Sequence, residues 1–123
     1  MSNKKIQIGE FSQKTGLPID TLRYYEKHHL LDPGRDENNR RTYSEADLDR
    51  VALILRLKGG GLSIDEIQEY LVLKDHAAET TLERSIFLKS KLKILMANKQ
   101  KVEDSISYVE DTIALLNREL NEK

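Results

Sequence analysis

The sequence predicts a mainly α-helical protein: a winged helix-turn-helix followed by a long C-terminal helix that dimerises as an antiparallel coiled coil. Three observations carry this reading. Two short segments with apolar faces meet at the turn Gly16-Leu17-Pro18, and two helices joined by a few residues containing glycine are the signature of a helix-turn-helix. A polar stretch ending in Arg40-Arg41-Thr42-Tyr43 follows. From about Thr81 to Leu120 the apolar residues recur at alternating steps of four and three, with no Gly or Pro between them, which is the pattern of a coiled-coil seam.

The elements follow in order. Ile8 and Phe11, with Leu17 beyond the turn, give the first helix an apolar face. Pro18 presets φ for the second helix, in which Ile19 and Leu22 pack inward and Asp20, Thr21, Arg23, Tyr24 and Lys27 point outward. Leu30-Leu31-Asp32-Pro33-Gly34 ends it. Arg35 to Tyr43 reads as two short strands about a turn at Asn38-Asn39, a wing. Ser44-Glu45-Ala46-Asp47 is a capped helix start, with Leu48, Val51, Ala52, Leu55 and Ile54 expected inside and Gly59-Gly60-Gly61 as the stop. Ser63-Ile64-Asp65-Glu66 caps a fourth helix that buries Ile64, Ile67 and Leu71. The expected organisation is a DNA-binding head over 1–75, a linker over 76–80, a dimerisation helix over 81–120 and a tail over 121–123.

Composition narrows the class. The chain has 123 residues, 38% hydrophobic and 33% charged, and no cysteine, which excludes a disulfide framework, a thiolate metal site and a thiol switch within it. No apolar run approaches the roughly 20 residues that span a bilayer, and no signal-like block follows Met1-Ser2-Asn3-Lys4-Lys5. A cytoplasmic location with no membrane partner is the expectation. Net charge is −1, but residues 1–43 hold eight Lys/Arg against six Asp/Glu. That excess sits where phosphate contacts need it, though the field is weak.

The second helix carries the candidate reading residues. Arg23 is expected at a base edge, since a guanidinium bridges guanine O6 and N7; the bland alternative is a solvated helix arginine. Thr21, Tyr24 and Tyr25 offer hydroxyls to phosphates, although Tyr25, three residues after Leu22, also suits the core. Arg40 and Arg41 are expected as wing contacts to backbone or minor groove. Tyr43 either locks the wing onto the head or touches phosphate, and Lys14 and Lys58 are expected phosphate neighbours. On the long helix the seam is Leu88, Leu92, Leu95, Lys99, Val102, Ile106, Val109, Ile113, Leu116 and Leu120. It would pair with a second copy, with Lys99 helping to fix register; the alternative is folding back on its own chain. His28, His29 and His76 lack the carboxylates or thiolates that would complete a metal site. Gly59-Gly60-Gly61 lacks the Lys-Ser/Thr of a phosphate loop, and no nucleophile–base pair is visible. Neither a metal, a cofactor nor an enzymatic activity is expected.

These residues resemble the MerR family of bacterial transcription regulators. Ile8-Gly9-Glu10-Phe11-Ser12, Thr15-Gly16 and Thr21-Leu22-Arg23-Tyr24-Tyr25-Glu26 are similar to its helix-turn-helix. Asn39-Arg40-Arg41-Thr42-Tyr43-Ser44-Glu45-Ala46-Asp47-Leu48 resembles its wing and third helix, and Gly61-Leu62-Ser63-Ile64-Asp65-Glu66-Ile67 its fourth. Thr80-Thr81-Leu82-Glu83-Arg84 looks like the branch that senses aldehydes and other electrophiles. The chain departs from the family at His29, where glycine is usual, and at Asn39-Arg40-Arg41, where Gly-Tyr-Arg is frequent. It also lacks the cysteine that the electrophile branch often has at the position of Arg56, and the metal sensors' cysteines near the end of the dimer helix.

The resemblance implies a homodimer on a palindromic promoter operator. It would control transcription by bending and untwisting double-stranded DNA whose promoter elements are too far apart, and so act on RNA polymerase through the DNA. Only Asn121-Glu122-Lys123 follow Leu120, so a small-molecule effector, of unknown identity, is expected near Tyr70 to Leu82 and the partner's helix end. Two rivals share parts of the pattern. An architectural DNA-bending protein shares the head but does not need the long seam, while a constitutive repressor or activator differs only in having no small-molecule effector. A scaffold coiled coil needs the seam but not an Arg-Tyr-Tyr helix.

Overall fold

The computed structural model describes residues 5–76 and 78–122. Met1–Lys4, Ala77 in the expected linker and Lys123 in the expected tail lie outside the described residues. The elements run β1 (Ile6–Gln7), α1 (Ile8–Thr15), α2 (Ile19–Lys27), β2 (Gly34–Arg35), β3 (Arg41–Tyr43), α3 (Glu45–Gly59), α4 (Ile64–Asp75) and α5 (Thr81–Asn121). The chain divides into two compact units between Arg84 and Ser85.

In the first unit the mainly helical, winged fold expected from the sequence is present. α1 ends where Gly16 takes φ 75°, a left-handed cap that glycine adopts without strain. α2 ends in the same kind of motif without a glycine. The Leu30 N–H donates to the Tyr25 carbonyl and the His29 N–H to that of Glu26, with His29 at φ 61°. These are the two bonds of a Schellman cap, here with histidine at the left-handed position. The wing hairpin turns at Asp36–Asn39. Asp36 and Arg40 share a backbone bond, Asn39 donates to the Asp36 carbonyl, and Asn39 sits at φ 60°, a tolerable left-handed residue for a three-residue hairpin loop. β3 is the centre of a three-stranded antiparallel sheet in the order β1-β3-β2. Ile6 faces Tyr43 and Gly34 faces Thr42. β1 was not expected, because two residues carry no periodic signal.

The core gathers Ile6, Phe11, Leu22, Tyr25, Leu30, Leu31, Tyr43, Val51, Ile54, Ile67 and Leu71. Two expectations on α3 and α4 change. Ala52 is exposed while Ile54 is fully buried, because an inner face through Leu48, Val51 and Ile54 leaves Ala52 to one side. Ile64 is only half-buried, and Tyr70 takes the inner place beside Ile67 and Leu71. Both helices begin with full capping boxes, Ser44 with Asp47 and Ser63 with Glu66. Arg50 ties three segments together. Its Nε donates to the Leu30 carbonyl at 2.6 Å and its Nη1 to Asp75 at 2.7 Å. Thr80 Oγ1 donates to the carbonyls of Leu73 and His76, while its own carbonyl receives the Arg84 N–H.

The second unit is α5 from Ser85 onward. Its seam residues Leu88, Leu92, Val102, Ile106, Val109, Ile113, Leu116 and Leu120 are exposed, and Leu95 is half-buried. Lys99 reaches Glu103 one turn on at 3.8 Å. Among the described residues no helix is long and apolar enough to cross a membrane.

Candidate nucleic-acid interface

α2 presents Arg23 and Tyr24 outward, with Leu22 and Tyr25 beneath. Arg23 lies 3.7 Å from Asp20, an exposed neighbour one turn back, and the Tyr24 ring is 4.2 Å from that of His28. Thr21 is half-buried on the first turn. The wing places Arg40 at the surface, 3.3 Å from Asp36. Arg23, Arg35, Asn39, Arg40 and Arg41 line one cleft of about 250 Å³, together with Gln7 and Ile8. Four guanidinium groups around one opening make an electrostatic seat for phosphates.

The wing is held to α2 by one carboxylate. Glu26 accepts from Arg35 at 3.0 Å and from Arg41 at short range. Arg41, expected as a contact at the wing surface, is therefore turned inward as a clamp. Asp36 fixes the wing tip. Its carboxylate accepts from the Arg40 N–H at 2.9 Å and the Asn38 N–H at 2.8 Å. The Arg40 amide above all, with the Asn38 amide and the Arg40 charge, lowers its pKa below the ordinary carboxylate value despite partial burial.

Two residues that the sequence left between core and phosphate contact lie in the core. Tyr25 is 1% exposed and Tyr43 2%, so neither hydroxyl is presented to a ligand. Tyr43 stacks on Phe11, with ring centroids 4.1 Å apart and planes 7° from parallel. Its position at the Cα partner of Ile6 makes it the joint between sheet and α1. Tyr25 follows Leu22 on the inner face of α2, and Tyr43 lies on the central strand β3, where its neighbour Thr42 is buried too. Burial raises the pKa of Tyr43, and the Glu26 carboxylate adds to the effect. Lys14, 3.6 Å from Glu10, opens on a different cleft with Leu48, Val51 and Leu55. Lys58 is exposed in the last turn of α3. Neither joins the arginine cleft. Sequence reasoning missed Arg35 and Glu26; Glu26, four residues after inward Leu22, could have been found from the helix period.

Among the described residues no group of His, Asp and Glu is placed to hold a metal ion. Residues 6–73 match the family described as MerR HTH family regulatory protein, and residues 48–118 match that described as MerR, DNA binding. The chain belongs to the MerR family. Its members are transcription regulators rather than enzymes. The HTH-type transcriptional activator mta of Bacillus subtilis is 34% identical over 110 residues, covering 89% of this chain and 40% of that protein. The mercuric resistance operon regulatory protein of Bacillus cereus is 38% identical over 72 residues, covering 58% and 54%. The chain thus spans about half the length of the curated relatives it matches.

Among MerR structures, the N-terminus of the Bacillus subtilis multidrug transporter activator superposes with TM-score 0.64 at 33% identity, covering 89% of this chain and 98% of that one. HiNmlR, a MerR family regulator lacking the sensor domain and bound to promoter DNA, superposes with TM-score 0.83 at 24% identity, covering 94% and 92%. At that identity the likeness concerns the fold. These relatives belong to several branches of the MerR family and single out none.

Proposed function

We propose that the chain binds promoter DNA as a homodimer on a palindromic operator and controls transcription by bending and untwisting it. One observation carries the reading: Arg23 on the exposed face of α2 and Arg40 on the wing open on the same arginine-lined cleft. α2 enters the major groove with Arg23 at a base edge and Thr21 and Tyr24 on phosphates. Arg40 meets the flanking backbone, with Lys14 and Lys58 as outlying phosphate contacts. The head, residues 1–75, joins through 76–80 to a dimerisation helix, 81–120. Its exposed seam from Leu88 to Leu120 pairs antiparallel with a second copy. Deforming a site of 20–30 bp costs ~1–6 kcal/mol, a term that a rigid two-headed dimer offsets and that a small effector near Tyr70 to Leu82 would modulate. RNA polymerase is then affected through the DNA. With no cysteine in the chain, a thiol is not the sensor within it.

The test is fluorescence anisotropy on duplexes selected from a randomised pool. The reading expects an inverted repeat in the selected sites, two chains per duplex and a steep loss of affinity with salt. Transcription in vitro on promoters of varied spacer length then asks whether the gain is confined to overlong spacers. Binding that ignores sequence would leave an architectural protein; no binding at low salt would leave neither.

A further inference from the structure

The charges of α5 are segregated, and their boundary divides the seam in two. Ser85 to Val102 hold five lysines and no acid, whereas Glu103 to Leu120 hold five acids and a single base, Arg118. Five seam positions, Leu88 to Val102, fall in the basic half, and the other five, Ile106 to Leu120, in the acidic half. Lys89, Lys93, Lys99, Lys101 and all five acids are exposed. A lone helix gains nothing from this arrangement. Lys89 and Lys93 stand one turn apart, and neither has an acid three or four residues away; like charges at that spacing weaken an isolated helix. The ion pair of Lys99 with Glu103, at 3.8 Å, bridges the boundary itself.

We propose that the two halves make α5 select its own copy. The basic half of one chain lies against the acidic half of the other, and helices whose charges run otherwise are rejected. The inference rests on the seam being an antiparallel homodimer interface and names what chooses that partner. Magnitudes favour it. Each half spans about 27 Å, whereas charges are screened over ~10 Å at 0.1 M salt. The halves of one helix therefore act as separate blocks and do not cancel. A packed partner helix lies about 8–10 Å away, within that range. In an antiparallel pair both halves meet the opposite sign along their length, and blocks of eighteen residues keep that complementarity through a slip of one turn. A parallel pair would set lysines on lysines and acids on acids, with Lys99 of the seam beside its own copy. The pattern, with its repulsion of the wrong arrangement, selects the partner; the nearly balanced total does not.

Charge reversal in blocks tests this on the full chain. The first set is Lys89→Glu, Lys91→Glu, Lys93→Glu and Lys101→Glu; the second is Asp104→Lys, Glu110→Lys, Asp111→Lys and Glu119→Lys. Either set alone opposes like charges in an antiparallel pair. Each is expected to weaken the dimer roughly tenfold or more in sedimentation equilibrium at about 50 mM salt, and less at about 500 mM. Both sets together restore opposite signs and with them the homodimer, whereas a parallel pair would stay like on like. Wild type mixed with the chain carrying both sets should exchange no subunits, each pairing with itself. Circular dichroism checks that every variant keeps its helix. Single sets that dimerise as the wild type does, or a helical double set that regains no dimer, overturn the inference and leave the seam dimer standing. A first set that stays dimeric but loses operator affinity assigns the lysines to phosphates and overturns it too. A wild type of single chains overturns the dimer itself.

Discussion

Replacing Tyr25 or Tyr43 by phenylalanine removes one oxygen and decides what these residues do. Both hydroxyls are buried and, among the described residues, neither has a hydrogen-bond partner. A buried, unsatisfied polar group costs about 1–3 kcal/mol. Phenylalanine keeps the ring, including the stack of position 43 on Phe11 at 4.1 Å. Each substitution is therefore expected to stabilise the head by ~1 kcal/mol, or about 4–8 °C in Tm for a domain of this size. Thermal unfolding by circular dichroism, at one fixed protein concentration because dimerisation contributes, measures it. Operator affinity should be unchanged, since neither oxygen reaches the surface. The pH dependence gives a second reading. Burial raises the Tyr43 pKa, so its folded value exceeds the unfolded one of about 10. The stability linked to the neutral phenol is complete below pH ~10 and is lost as pH rises through the folded pKa. Tyr43→Phe should abolish that part of the alkaline loss. A destabilisation of 1 kcal/mol or more, or a tenfold drop in affinity from either change, would refute this and restore the hydroxyls as ligand or water contacts.

The remaining predictions concern the interface and its supports. Arg23→Ala should cost ~1–3 kcal/mol at one base position and relax specificity there, whereas Arg40→Ala should weaken binding on all sequences and reduce the salt slope by about 1; anisotropy on a substituted operator series separates them. Glu26→Gln should loosen the wing by weakening its links to Arg35 and Arg41. Specific binding then falls while binding to random duplex, one negative charge fewer, rises; parallel changes on both would count against the clamp. His29→Gly should raise head stability by up to ~1 kcal/mol, because the left-handed position at φ 61° strains a side chain, as read from denaturant midpoints. Asp36, with its pKa held down by the Arg40 and Asn38 amides, supports the wing tip above the unfolded value near 4 and loses that support as pH falls through the folded pKa. Exchange of those two amides should accelerate over that acid range, and Asp36→Asn should remove the transition.

Much of this was legible because it is local and periodic. The two capping boxes, the turn at Gly16 and the heptads of α5 announce themselves within a few residues. The left-handed position at His29 was visible as a place where glycine is usual in the family, whereas the positive φ at Asn39 was not anticipated. What could not be read depends on distant partners. β1 exists only because β3 pairs with it. Arg41 looked like Arg40, yet Glu26, fifteen residues earlier, turns it inward. Tyr43 reads equally as a lock on the wing or a phosphate contact; the Phe11 ring that stacks on it lies thirty-two residues away. Side chains that are equally suited to core and ligand are decided by packing, which the sequence does not display.

The weak positive field of the head is reconciled with DNA binding by the way its cations are partnered. Arg35 and Arg41 share Glu26 and fix the angle between wing and α2. Arg23, Arg40 and Lys14 rest on Asp20, Asp36 and Glu10 at 3.7, 3.3 and 3.6 Å, all within a turn of themselves. Exposed pairs of this kind contribute about 0–1 kcal/mol, so a phosphate displaces the acid at little cost. Displacing Glu26 would instead release the wing. The head thus divides its arginines into those that shape the cleft and those that can exchange a carboxylate for a phosphate. On the proposed reading only the second set meets phosphates, so the salt dependence should be shallower than four cleft arginines suggest. Specificity then rests on how firmly Glu26 holds the geometry, and net charge, the quantity easiest to count in the sequence, is a poor guide to either.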